Sequence, residues 1–180
     1  MSNRASRRIR LTLSVFILSM LLTAAGAKTI YVDDDVAGVN NGSSWADAYT
    51  FLQEALADAN LSEKPVEIRV AQGIYRPNGG LVAIPEFNWR TTTFQLINGV
   101  ALKGGYAGLG QPDPNARDIE LYETILSGDL NGDDSQVVQL LDLLYEPTRA
   151  ENSYHVVTAI RTDDTSVLDG FTITAGNANT

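Results

Sequence analysis

Residues 66–75 read VEIRVAQGIY. Val66, Ile68 and Val70 alternate with Glu67 and Arg69, the period of a half-buried strand. Gln72-Gly73 supplies a turn, and Ile74-Tyr75 begins a second short strand. This rhythm continues downstream. TTTFQLI (91–97) leads through Asn98-Gly99 into VALKGGY (100–106). TILSGDL (124–130), YHVVTAI (154–160) and TSVLDGFTIT (165–174) follow, separated by loops rich in Gly, Pro and Asn. No helix of useful length separates these strands, which argues against a βαβ sheet. A sandwich, a propeller and a solenoid remain.

Two pieces align at a spacing of 66 residues: Leu102-Lys103-Gly104 and Leu168-Asp169-Gly170. The long period implies several turns of a coil per repeat, and one helix at the front followed only by short strands favours the solenoid. Upstream, TIYV (29–32) is β-prone and ends in Asp33, Asp34 and Asp35. SWADAYTFLQEALADAN carries an apolar stripe of Ala46, Ala48, Leu52, Ala55, Leu56 and Ala59. It predicts one helix over about residues 45–59, with Ser43 or Ser44 as its cap and Asp47 in its first turn. A solenoid exposes strand edges and apolar core at its ends, and this helix is placed to close the first.

The first 27 residues read as a secretory leader. Arg4, Arg7, Arg8 and Arg10 precede the apolar run LTLSVFILSMLLTAA (11–25), and Ala25-Gly26-Ala27 is a small-x-small cleavage site. The apolar run is shorter than the roughly 20 residues of a membrane span, so none is expected after cleavage. Four of the 13 Lys and Arg leave with it. Nine remain against 22 Asp and Glu, a net charge near −13. That field repels phosphate backbones and excludes nucleic acid as an expected partner. With no cysteine, disulfide staples and thiolate zinc sites are excluded, and stability must come from a packed core.

The blocks TIYVDDD, NNGSSWADAYTFLQEAL, VEIRVAQGIYRP, FQLINGVALKGGYAG, ETILSGDLNGDD, ENSYHVV and VLDGFTITAGNA, in that order, resemble the N-terminal portion of secreted bacterial right-handed parallel β-helix proteins, within the pectate-lyase-like superfold. The resemblance implies an all-β fold: a leader (1–27), an N-terminal strand and capping helix (28–65), and the first coils (66–180). It places Trp45, Ala48, Leu52 and Leu56 in the cap. It stacks Ile125, Leu126, Val156, Val157, Leu168, Phe171 and Ile173 inward, and puts Gly170 and Asn177 at corners. Such proteins continue through many more coils, so a C-terminally truncated β-helix or fragment is the expectation.

Candidate sites are few. DLNGDD (129–134) spaces Asp129, Asn131 and Asp133 like the start of a calcium loop, with Asp134 beside them. Its glycine stands at loop position 4 rather than 6, and Leu140 occupies position 12 where a Glu belongs. A solvated corner is the competing reading. Asp33 to Asp35 form a second acidic trio, yet three adjacent residues converge only if the backbone curls. The basic residues Arg69, Arg76, Arg90, Lys103 and Arg161 show no lyase pairing, and nothing sets a hydrolase distance between Asp163, Asp164 and Asp169. His155, the only histidine, has no partner in sequence. GGYAGLG (104–110) lacks the Lys and Ser/Thr of a phosphate loop. No catalytic residue is assigned. Trp89 is the better exposed aromatic for sugar contact, and Trp45 packs on the cap. The apolar run Val137, Val138, Leu140, Leu141, Leu143 and Leu144 reads as a short helix on the stack, or as an adhesive patch if exposed. The expected role is a secreted or outer-surface structural and adhesive module. It would have carbohydrate or cell-surface partners, no cofactor beyond calcium, and no catalysis of its own. The alternative is the front of a polysaccharide lyase or glycoside hydrolase whose groove lies on absent coils.

Overall fold

The computed structural model describes residues 26–81, 86–139 and 141–179. The leader reading therefore lies almost wholly outside the described residues. In chain order the elements are β1 (Lys28–Val32), α1 (Leu52–Leu61), β2 (Val66–Ala71), β3 (Gly73–Tyr75), β4 (Phe94–Gln95), β5 (Val100–Tyr106), β6 (Thr124–Ser127), β7 (Val157–Thr158), β8 (Val167–Asp169) and β9 (Thr172–Thr174). They form three sheets, ordered β1-β2-β5-β8, β3-β6-β9 and β4-β7. Every strand pairing in them is parallel. From β2 the chain visits the three sheets in turn, returns to the first at β5, and repeats the tour. The fold is thus mostly strand, in parallel sheets, with one α-helix among the described residues.

Parallel register stacks like on like. Ile30 pairs with Ile68, Ile68 with Leu102, and Leu102 with Leu168. The first three are at most 1% exposed. In the second sheet Tyr75, Leu126 and Ile173 align, and in the third Phe94 meets Val157. Ile30, Ile68, Leu102, Tyr75, Leu126 and Phe94 form one core cluster, with Val157 and Leu168 packed against it. The expected inward set needs trimming. Ile125 precedes Leu126 in β6, so period-2 alternation turns it out of the core. Ile173 holds the inward register but is 50% exposed, because β9 ends its sheet among the described residues.

The 66-residue spacing is confirmed as register and corrected as period. Leu102 and Lys103 pair directly with Leu168 and Asp169. One circuit therefore separates them, lengthened by loops, not several.

The outward face of the first sheet carries charge. Glu67 accepts from Arg69 at 2.7 Å and from Lys103 at 2.5 Å, and all three side chains are half-buried. Burial alone would raise the Glu67 carboxyl, but the bonds from Lys103 and Arg69 outweigh it and hold the group below its ordinary value. A depressed carboxylate stabilises the fold above its unfolded pKa, and that contribution is lost as pH falls through the folded value. We expect Glu67→Gln to cost about 1 kcal/mol at neutral pH, the screened value of a partly exposed network. The deficit should shrink below the ordinary carboxylate range, as urea unfolding at several pH values would reveal.

The helix begins at Leu52, not near residue 45. Residues before it pair with β1 instead: Tyr49 bridges Val32 in parallel, donates to the Tyr31 carbonyl and accepts from the Asp33 amide. Asp47 sits in a turn, its carboxylate accepting from the Val39 amide and the Ser44 hydroxyl. Ser44 caps that turn and not the helix. The stripe of Leu52, Ala55, Leu56 and Ala59 is buried as expected. It packs in the same cluster as Ile30, Val66 and Phe94, at the β1 end of the first sheet. Ser62 stops the helix by donating its amide to Asp58 and Ala59, and Pro65 follows shortly after. Lys28 grips both carboxylate oxygens of Asp58, tying β1 to α1.

Other expectations shorten. Of residues 91–97 only Phe94–Gln95 is strand, because Thr91 and Thr92 turn their hydroxyls back onto Asn88 and Trp89 in a 3-10 turn. Residues 154–160 contribute only Val157–Thr158, matching the two residues of β4. Residues 165–174 split into β8 and β9 at Gly170, whose φ of +80° turns the corner. Asn177 does stitch circuits together, donating its amide to Ser153 and its Nδ2 to Arg149.

Candidate metal centre

The insertions between β3 and β4 and between β6 and β7 both link the second sheet to the third. They therefore lie on the same corner of successive circuits. Arg76 donates Nε to the Asp129 carbonyl at 2.7 Å, and Asn78 donates Nδ2 to the Leu130 carbonyl. Farther along, Arg90 donates Nε to the Asn152 carbonyl at 2.8 Å and accepts the Tyr154 amide on its own carbonyl. The guanidinium also lies 4.2 Å from the Tyr154 ring centroid.

Asp129 directs this corner. Its Oδ1 accepts from the amides of Gly132 at 2.6 Å and Asp133 at 3.1 Å, and its Oδ2 accepts from Asp134 at 3.3 Å. The carboxylate thus curls the 129–134 backbone around itself, as Asp does in turns. The curl brings Asp133 back to Asp129, and the end of the insertion delivers Glu151 to both. Oxygens of these three carboxyls lie within 4.8 Å of one another, so the trio can hold a metal ion. Asp129 is buried, Asp133 exposed and Glu151 half-buried. Burial pushes the Glu151 carboxyl above its ordinary range. The charges of Asp133 and Asp129 push the same way, against the amides of Glu151 and Asn131.

Asp129 and Asp133, two of the three residues read as a calcium loop, converge here with Glu151 from the far end of the insertion. Asn131, between the two aspartates in the loop, is exposed. Glu151 carried no sequence signal: it lies 22 residues beyond Asp129, and its approach depends on where the insertion returns. Asp134 is engaged otherwise, by Arg149 at 3.4 Å and Asn152 Nδ2 at 2.8 Å.

The Asp33–Asp35 trio also converges, because a turn curls the backbone there. Asp33 is nevertheless occupied by the protein. Its Oδ2 accepts from Leu109 at 2.7 Å and its Oδ1 from Asp35. Burial raises its pKa, those amides opposing it; burial and then Asp35 raise that of Asp34. Asp33 anchors the 108–109 loop at the end of β1.

Beside the carboxylate cluster lies a cleft of about 640 Å³, lined in part by Phe87, Trp89, Arg90, Asn78, Asn131 and Glu151. Phe87 and Trp89 stand edge to face, 4.8 Å between centroids, and Phe87 is 44% exposed. Trp45 is elsewhere and outside the helix. It is 6% exposed on the outer side of the first sheet, between Tyr31 and Tyr106, donating Nε1 to Asn115. His155 is exposed just ahead of β7. Lys103 and Arg69 are both engaged by Glu67, and Arg117 by Asp169. Within the apolar run Val138 is 94% and Leu141 72% exposed while Val137 and Leu143 are half-buried, with a 3-10 turn at Asp142–Leu144. Leu140 lies outside the described residues. No described helix is long and apolar enough to cross a membrane.

No family model, curated protein or solved structure matches this chain. The chemistry of the corner therefore rests on its own residues.

Proposed function

We propose that the chain is the capped front of a right-handed parallel β-helix, exported and used as a structural and adhesive module at the cell surface. The observation that carries this reading is the tour of three parallel sheets, repeated from β2 onward with the ladder Ile30–Ile68–Leu102–Leu168 in register. A stack built this way offers its corners as places for loops, and loops carry contacts. The partner is a neutral glycan of the cell surface. The cleft suits it, with an aromatic pair for sugar faces and the amides of Asn78 and Asn131 for hydroxyls. Exposed Val138, Leu141 and Tyr145 add an apolar contact on the neighbouring loop. Calcium is the cofactor this reading admits.

The test is retention of the folded chain on insoluble cell-surface polysaccharides, with products assayed in parallel. Retention without release of reducing ends or unsaturated uronates is the expected result. Trp89→Ala should weaken retention about tenfold, the effect of losing one central aromatic contact. Turnover of any glycan would replace this reading with that of a lyase or hydrolase. Retention unaffected by Trp89→Ala would move the contact away from the cleft.

A further inference from the structure

Unpartnered buried oxygen is concentrated at the corner that holds Asp129. Among the described residues five buried side-chain atoms lack a hydrogen-bond partner, and four of them are Asp134 Oδ1, Glu151 Oε1, Asn152 Oδ1 and Ser153 Oγ. All four belong to the two short segments that meet there. Asn152 and Ser153 have no exposed surface. Asn152 turns its amide toward the 129–134 loop, donating Nδ2 to Asp134 Oδ2 while its Oδ1 receives nothing. Ser153 is fastened alongside by its backbone amide on Gly128. Buried acceptors without donors are rare in folded proteins, and each calls for an explanation, a bound ion or its waters being one.

The charges point the same way. Three carboxyls converge within 4.8 Å, and among the described residues no Lys or Arg forms an ion pair with any of them. Arg149 pairs with Asp134 instead, and Arg76 donates to the Asp129 carbonyl. Oxygens at this mutual distance are those of ligands around a hard cation, each about 2.3–2.6 Å from it. Asp129 keeps capacity for a ligand bond, since its Oδ2 accepts only one weak backbone contact. The side beside exposed Asp133 is open, and water would complete the shell of an ion there. Few protein ligands, an irregular set and an open side suit calcium better than the strict octahedron of magnesium.

We infer that a divalent cation, calcium first, binds Asp129, Asp133 and Glu151, and so closes the β6–β7 insertion where it begins and ends. This ligand set is not the linear loop of Asp129, Asn131 and Asp133. It joins residues 22 apart in sequence, and Glu151 also lines the aromatic cleft, so the ion stiffens one wall of that cleft.

The experiment is calorimetric titration of the metal-free full chain with calcium chloride, with thermal unfolding in calcium and in chelator. One ion per chain is expected, with a dissociation constant of about 0.1–1 mM, the range of extracellular calcium modules. Glu151→Gln should weaken it at least about tenfold by removing a charged ligand. Asn131→Ala and Asp35→Asn should each leave it within about twofold, since neither removes one of the three ligands. Circular dichroism establishes that each variant is folded, and exposed Asp133→Asn replaces Glu151→Gln if that variant is not. Absence of saturable binding overturns the inference. So does wild-type affinity in Glu151→Gln, or loss of binding in Asn131→Ala or Asp35→Asn. The titration uses the metal alone, so its outcome is independent of whether the cleft takes a glycan.

Discussion

Leu102→Ala is expected to destabilise the chain by about 3–4 kcal/mol, within the range for truncating a buried leucine. The residue is 1% exposed and sits between Ile68 and Leu168 in the register of the first sheet. Phe94 and Leu126 from the other two sheets belong to the same cluster, so the three sheets meet around this layer. Neighbours held by parallel ladders on both sides have little freedom to collapse into the space left behind. Ile173→Ala removes a similar volume from the ladder of Tyr75 and Leu126, but at its outer end, where the side chain is 50% exposed. Its expected cost is below about 1 kcal/mol, because much of the transfer term is already forfeited. Denaturant unfolding of both variants measures the contrast. Equal losses at the two positions would sink the layered arrangement.

That contrast also marks how far the sequence could be read. The alternation in VEIRVA and VALKGGY reaches the fold intact, because period 2 fixes which side chains face inward whatever the loops do. The pairing of LKG with LDG survives for the same reason: register is a local property of two strands. The length of a circuit is not. Lys28 and Val66 are 38 residues apart and Val66 and Val100 are 34 apart, yet Ala101 and Val167 are 66 apart. All three pairs are direct neighbours, and the difference lies in what joins them: turns and α1 between the first pair, corner insertions of unequal length in the other two. A spacing therefore cannot reveal how many turns it contains. The helix start failed for a related reason. Ala46 and Ala48 fit the helical stripe and Asp47 its first turn, but the edge of β1 offers Tyr49 ladder bonds that local propensity does not contain. At the corner, Asp129 and Asp133 were legible because one curls the backbone onto the other. Glu151 was not, because its place is set by stacking.

Gly104→Ala carries the other large effect, about 2–3 kcal/mol, in the range for overpacking a site that cannot yield. An added β-carbon would stand 2.4 Å from the carbonyl oxygen of Gly170, with Phe171 and Thr124 each 3.0 Å away. The obstructing atom is backbone on the next circuit, so no rotamer relieves the contact. Relief requires the β8–β9 circuit to lift from β5 and β6. Several bonds oppose this. Arg117 donates to the Gly104 carbonyl at 2.9 Å and to Asp169 Oδ2 at 2.9 Å, clamping the two circuits together. Below them, the Thr124 hydroxyl donates to Ala71 and accepts from Gly105. Gly176→Ala is the control, its new carbon reaching only 3.4 Å from Val156 Cγ2, and its effect should stay within about 0.5 kcal/mol as for other surface changes. Hydrogen exchange adds a spatial readout. In Gly104→Ala the amides of β8 and β9 should lose protection first, while β1 and β2 beneath the helix keep theirs. This glycine thus acts through the close approach of successive circuits, and its partner at the same register position, Gly170, acts through a backbone angle. An unchanged stability in Gly104→Ala would mean that the circuits stand farther apart than ladder pairing allows.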